Sequence, residues 1–258
     1  ESIYRVHEYP DEERLKNTLT ILKSYGVNIQ SKINSSDPKV IQNILKELEK
    51  EENKEIFIQM VLRCMAKAKY TTEKEGHFGI GVDSRKGEYY THFTSPIRRY
   101  PDTTIHRILH LILKGEFSKL VEDLYQEKLK DIAAHSSTQE ISAEKCEKQA
   151  NKYRMAQYMQ NKIGEEFTGK IDGFTKNGMF IQLENLVEGR IGFETMDDYY
   201  NYEEELQIIV GEKTNKVYRL GDKIEVILTK SDPETYEIDF EPKRKPKTRK
   251  VKYNGNTK

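Results

Sequence analysis

The sequence predicts an α+β chain in which a mostly helical first part gives way to a small five-stranded β-barrel and then to a basic tail. Three observations carry this reading. Up to residue 163 apolar residues recur at three- and four-residue steps; from 164 to 241 they alternate; from 242 to 258 cations dominate without a packable apolar pattern. These limits set the expected domains, 1–163, 164–241 and 242–258.

The elements follow in chain order. Pro10 suits a first helical turn, Leu15, Leu19 and Leu22 form one stripe, and Gly26 supplies a stop. Asp37-Pro38 opens a second helix with Val40, Ile41, Ile44, Leu45 and Leu48 inward, and a third is expected from about Lys54 to Lys69. The glycines at 76, 79, 81 and 87 mark a loop with a short extended piece around Phe78 to Val82. Helices are then expected over Pro101 to Lys114, Ser118 to Ala134 and Thr138 to Lys162. Beyond Gly164, alternation at Phe167, Gly169 and Ile171, at Met179, Ile181 and Leu183, at Arg190 and Gly192, at Ile224, Val226 and Leu228, and at Tyr236, Ile238 and Phe240 marks five strands of a closed barrel. The acidic, tyrosine-rich stretch Asp197 to Glu205 reads as its long connection.

Composition narrows the function classes. The 258 residues hold 43 basic and 43 acidic side chains, but residues 164 to 240 carry 8 basic against 18 acidic and residues 241 to 258 carry 8 against 1. The tail is thus expected to be disordered and to seek polyanions. No apolar run reaches the roughly 18 residues of a membrane span, and no signal peptide is visible at the start. Cys64 and Cys146 lack CxxC partners, which removes disulfide scaffolds and zinc ribbons and points to a reducing cytoplasm. The opening Glu1-Ser2-Ile3, without an initiator methionine, is expected of a piece of something longer.

Two stretches carry chemistry. In Thr91-His92-Phe93-Thr94-Ser95-Pro96-Ile97-Arg98-Arg99-Tyr100-Pro101-Asp102, two prolines fix the backbone around two arginines, with the hydroxyls of Thr94 and Ser95 in the same turn. Arg98 and Arg99 held this way suit either a phosphodiester or acidic side chains on neighbouring helices. His106 and His110, four apart, lack the glutamate of a metalloprotease helix and are read as packing or as contacts to a carboxylate. In Gly169 to Phe180, Phe174 and Phe180 flank a tight Asn-Gly turn with Lys176 between them, the composition of an OB platform that stacks bases and meets phosphate. Phe193, Tyr218 and Arg219 are candidates to extend it, and core packing is the other reading of Phe180.

These residues carry a resemblance. Ile3-Tyr4-Arg5-Val6-His7-Glu8, Gly76-His77-Phe78-Gly79-Ile80 and the Thr91 to Asp102 block with His106-Arg107 resemble the second half of the RNB catalytic domain of the ribonuclease R and ribonuclease II family. Residues 164 to 241, with Tyr218-Arg219-Leu220-Gly221-Asp222, resemble the OB domain of the ribosomal-protein-S-one type that follows it. The resemblance implies processive degradation of single-stranded RNA from its 3′ end to nucleoside 5′-monophosphates, with magnesium held by aspartates upstream of Glu1. Asp102 stands alone in its motif and Asp197-Asp198 belongs to the barrel, so the metal ligands are not expected in this chain, which alone should be inactive. Arg98 matches an arginine that touches the phosphate near the scissile bond, with Arg99 beside it, and Glu147 matches a glutamate near the terminal nucleotides. Ser95 and Tyr100 of the block, and Lys243, Arg244 and Lys245 of the tail, join the expected RNA contacts. The ribosome and other RNA-decay components are candidate partners, no membrane is implied, and the cytoplasm is the expected location. A non-catalytic RNA-binding module, and more weakly a protein-docking helical domain, are the rival readings.

Overall fold

The computed structural model describes residues 2–29 and 37–243, in two compact units, the first through Asn151 and the second from Lys152. In the first unit lie β1 (Tyr4–Val6), α1 (Glu12–Ser24), α2 (Pro38–Leu48), α3 (Lys54–Leu62), β2 (Lys69–Thr71), α4 (Tyr100–Leu113) and most of α5 (Lys119–Met159). Asp11 caps α1 by accepting the Arg14 N–H, so Pro10 lies just outside the helix rather than in its first turn. Asp37 caps α2 through the Lys39 N–H, with Pro38 as the first helical residue. The buried leucine stripe of α1 meets Ile41, Ile44 and Leu48 of α2 and Phe57 and Val61 of α3 in one core. A second cluster joins Ile3, Tyr70, Ile108, Leu129 and Ala133.

Three expectations change here. Helix α3 ends at Leu62, because Lys69–Thr71 pair antiparallel with Tyr4–Val6 as β2. The piece around Phe78 is a single 3₁₀ turn, Phe78–Ile80, closed by Gly81 at φ +70° and footed by a bridge between His77 and Val82. The two helices expected from 118 to 162 are one, α5. At the expected break the Ser137 and Thr138 hydroxyls donate to the carbonyls of Ala133 and Ala134, four residues back, and no glycine or proline interrupts the ladder. Ser137 Oγ also accepts the Tyr70 N–H, which fastens α5 to β2.

The second unit is a closed barrel of β3 (Glu166–Thr175), β4 (Gly178–Leu183), β5 (Glu188–Gly192), β9 (Lys223–Asp232) and β10 (Glu237–Pro242), in the order β10-β5-β4-β3-β9. The parallel contact of Asp239 with Arg190 closes it. Ile171, Met179, Ile181, Ile191, Val226, Leu228 and Phe240 fill the interior. Gly189 lacks a side chain for good reason: a Cβ there would lie 2.3 Å from the Phe240 ring. Tyr236, expected in the last strand, instead sits in the turn before it at φ +60°. The long connection is itself a three-stranded sheet, β6 (Tyr200–Glu203), β7 (Ile208–Gly211) and β8 (Val217–Arg219). Among the described residues no helix is long and apolar enough to cross a membrane.

In the first unit, β1 is overlaid by the segment 76–92 through a file of rings. His7 and His77 lie 5.3 Å apart, His77 and Tyr90 5.2 Å, Tyr90 and His92 5.6 Å, and His92 and Tyr70 5.5 Å between centroids. His7 Nδ1 accepts the Gly79 N–H, so Nε2 carries the proton and donates to the Ala66 carbonyl. Burial, then the neighbouring His7, depresses the His77 pKa; burial, then Arg99 and Arg5, depresses that of His92. The unfolded chain therefore takes up protons at higher pH than the folded one. The stability contributed by these neutral rings is complete above their unfolded pKa of about 6.5 and is lost as pH falls through the folded values. Calorimetric melting temperatures should thus drop between pH 7.5 and 5.5. In His92→Phe, which keeps the ring contacts without the titration, the drop should be smaller; an equal drop would exclude His92.

Candidate nucleic-acid interface

The Thr94–Asp102 loop turns on one buried carboxylate. Asp102, in the first turn of α4, is 0% exposed, and its Oδ2 accepts the Ser95 N–H at 2.8 Å and the Arg99 Nη2 and Nε at 2.8 and 3.2 Å. Its place at the helix N-terminus adds favourable dipoles. The Ser95 carbonyl in turn accepts the N–H groups of Arg98 and Arg99, and the Thr103 hydroxyl donates to the Pro96 carbonyl. The loop is thereby closed on itself, with Ile97 and Arg98 at its exposed crest.

The two arginines part company. Arg99 is the ion-pair partner of Asp102 and about four-fifths buried. Its Nε and Nη2 are engaged with Asp102 inside the loop. The Arg98 side chain is exposed and makes no hydrogen bond or ion pair with any described residue, which leaves its fork of donors for an anion. Tyr100 is half exposed, with the Arg107 guanidinium 5.9 Å from its ring. Phe93 stacks on His106 at 4.2 Å and its carbonyl pairs with His106 Nε2. Of the two readings of His106, packing or a carboxylate contact, these contacts fit packing.

Glu147 lies exposed on α5 without a side-chain hydrogen bond or ion pair among the described residues. On that helix Glu140 binds Arg5 through both oxygens at 2.6 and 3.0 Å, and Lys148 and Lys67 hold Glu144 at a pKa of about 2. Sequence reading missed both, since their partners Arg5 and Lys67 are distant in the chain.

On the barrel the expected aromatic platform is divided. The register between β3 and β4 shifts between Ile171 and Gly173, and this bulge turns Phe174 inward opposite Met179, where it is 8% exposed and 6.1 Å from Tyr202. Phe180 faces outward at 38% exposure, paired across the strands with Gly173, which has no side chain to cover the ring. Phe174 is thus a core residue, and of the two rings only Phe180 is left exposed. Tyr218 is likewise buried, in a file with Tyr200 and Phe193 at 5.6 and 6.3 Å. It and Phe193 both pack on Tyr200 of the small sheet. Lys176 and Arg219 are exposed, with no side-chain partner among the described residues; Lys243 pairs with Glu166 at 2.6 Å. Arg244 and Lys245 lie outside the described residues.

Phe180 opens instead onto a cavity of about 230 Å³ lined by Lys152, Met155, Arg190, Tyr236 and Asp239. Arg190 and Asp239 pair at 3.5 Å there, with Arg190 about half exposed. A half-exposed ring beside a guanidinium and an ammonium group can stack a base and hold its phosphate. Arg190 was readable as the outward position after Gly189, whereas nothing in the sequence placed Tyr236 at this cavity.

The contrast between the arginines has a measurable consequence. Arg99→Ala leaves a buried carboxylate unpaired and should lower unfolding free energy by on the order of 3 kcal/mol, whereas Arg98→Ala should stay within about 0.5 kcal/mol of the native chain. Urea denaturation followed by circular dichroism distinguishes the two; equal losses would overturn the assignment.

Comparison with known proteins agrees with this geometry. Residues 1–115 match the RNB domain and residues 160–243 the S1 RNA binding domain. Ribonuclease R of Aquifex aeolicus (strain VF5) is 41% identical over 241 residues, 93% of this chain and 33% of that protein. Ribonuclease R 1 of Lactococcus lactis subsp. lactis (strain IL1403) is 37% identical over 240 residues, 93% of this chain and 29% of that protein. The apo form of Mycoplasma genitalium RNase R superposes with a TM-score of 0.85 at 32% identity, over 94% of this chain and 38% of that one. The chain spans about a third of the length of the curated relatives it matches. With an RNB match on the arginine loop and an S1 match on the barrel, the chain belongs to the ribonuclease R family of RNB-domain proteins.

Proposed function

We propose that the chain is the C-terminal part of a processive 3′-to-5′ exoribonuclease that hydrolyses RNA to nucleoside 5′-monophosphates, working in the cytoplasm with both its cysteines as free thiols. The observation that carries this is Arg98, an unpaired guanidinium on a loop closed by its own buried ion pair, in a chain related to ribonuclease R over 93% of its length. Arg98 binds two oxygens of the phosphate at the scissile bond and orients it. Phe180 and Arg190 hold the strand farther along by stacking and by charge-assisted hydrogen bonds. The Mycoplasma genitalium RNase R structures in complex with ribose methylated single-stranded RNA and with double-stranded RNA support RNA as the ligand.

Magnesium, which the family implies, finds no fitting donor set among the described residues. Among the described residues no three His, Cys, Asp or Glu side chains converge, and Asp102 is committed through Oδ2 to Ser95 and Arg99. The reading therefore assigns the metal to carboxylates outside the chain and gives this part the tasks of positioning phosphate and holding the strand. By itself the chain is an RNA-binding module without hydrolytic activity.

In the full-length enzyme, Arg98→Ala should lower turnover at least about tenfold while changing RNA affinity less, as expected for one charge-assisted contact worth roughly 1.5–3 kcal/mol. Arg98→Lys should rescue poorly, because a point charge cannot span two oxygens. Single-turnover assays on labelled single-stranded RNA read both effects, and unchanged rates in either variant would remove Arg98 from the reaction.

A further inference from the structure

On the outer face of the barrel, Lys170 of β3 stands directly opposite Lys223 of β9. The next pair in the ladder, Gly169 and Ile224, is buried, so both lysines point outward to the same side. Like charges facing each other across a strand pair repel, and among the described residues neither lysine has an ion-pair partner. The other two cations of the five barrel strands behave differently: Arg190 pairs with Asp239 and Lys230 with Glu237. An unneutralised pair of lysines is conspicuous in a segment with 18 acidic and 8 basic residues.

Lys223 also lines a cavity of about 330 Å³ with Lys216 and Lys243. The carboxylates there are engaged: Asp222 Oδ2 accepts the Arg219 N–H at 2.8 Å, and Glu225 lies 4.0 Å from the Lys243 ammonium. Across β3, Lys170 is paired with Gln182 of β4, two residues along the same outward face from Phe180. That is a step of about 7 Å, so a base stacked on Phe180 and the backbone beside it reach the lysines on one face.

We propose that Lys170 and Lys223, with Lys216 beside them, form a phosphate-binding site for the backbone of the RNA strand whose base Phe180 stacks. The proposal rests on the reading that the barrel binds single-stranded RNA. The anion supplies the counter-charge that the fold leaves out, so the site is most stable when occupied.

The test uses the whole chain and an unstructured single-stranded RNA oligonucleotide titrated at several salt concentrations. In the double variant Lys170→Gln/Lys223→Gln the slope of log affinity against log salt should be shallower by about 0.7–1.4, corresponding to one or two phosphate contacts. The control Lys162→Gln/Lys230→Gln removes the same charge from lysines already paired with Glu165 and Glu237 and should keep the native slope. Without RNA the Lys170/Lys223 variant should melt above the native chain, because the repulsion is relieved. An unchanged slope, equal flattening in the control, or a lower melting temperature would each overturn the site. Failure of the native chain to bind the oligonucleotide at all would instead overturn the RNA-binding reading of the barrel.

Discussion

The arginine loop depends on the burial of one carboxylate. A fully buried Asp102 costs several kcal/mol of desolvation unless it is paired and hydrogen-bonded, and the loop answers that demand at Oδ2 with Arg99, the Ser95 amide and the start of α4, while Oδ1 is buried without a hydrogen-bond partner. Meeting it fixes the path of residues 95 to 102 and leaves Arg98 with no partner inside the described protein. The exposed guanidinium is thus a by-product of satisfying the buried acid. The rigidity that a phosphate-positioning group needs comes from the same ion pair, which spares the ligand the ordering of the loop.

A second constraint governs the barrel. The bulge between Ile171 and Gly173 exchanges the faces of every later residue on β3. It sends Phe174 into the core and puts Gly173 under Phe180, so one aromatic ring stands free with an uncovered face. The interior packing and the exposed Phe180 ring therefore come from one irregularity, and neither can change without the other.

Much of the fold was legible in the residues. Asp37-Pro38 announces a helix start by local hydrogen bonding, and period-two alternation located the five barrel strands because both are short-range effects. What escaped notice depends on partners distant in the chain or on local irregularity. Lys69–Thr71 continue the look of α3 until β1 claims them, and Ser137 and Thr138 look like a helix break until their hydroxyls turn back onto the helix. The small sheet hides in an acidic, tyrosine-rich stretch because its strands are short and its tyrosines pack on one another. At the site, spacing brought out Arg98 and Arg99 as a pair with two open partners, phosphate or carboxylate. The signal that separates them was present, since Arg99 and Asp102 lie three apart at a helix start, where such pairs meet. The depth of Asp102, which makes the pair obligatory, follows only from the three-dimensional packing.

The central claim is that the buried acid assigns one arginine to the protein and the other to the phosphate. It is tested most directly by a crystal structure of the full-length enzyme with a single-stranded RNA carrying a non-hydrolysable phosphorothioate at its 3′-terminal linkage. The account predicts the Arg98 guanidinium on two non-bridging atoms of that linkage, with Arg99 still bound to Asp102. Arg99 on the linkage, with Arg98 left in solvent, would contradict it.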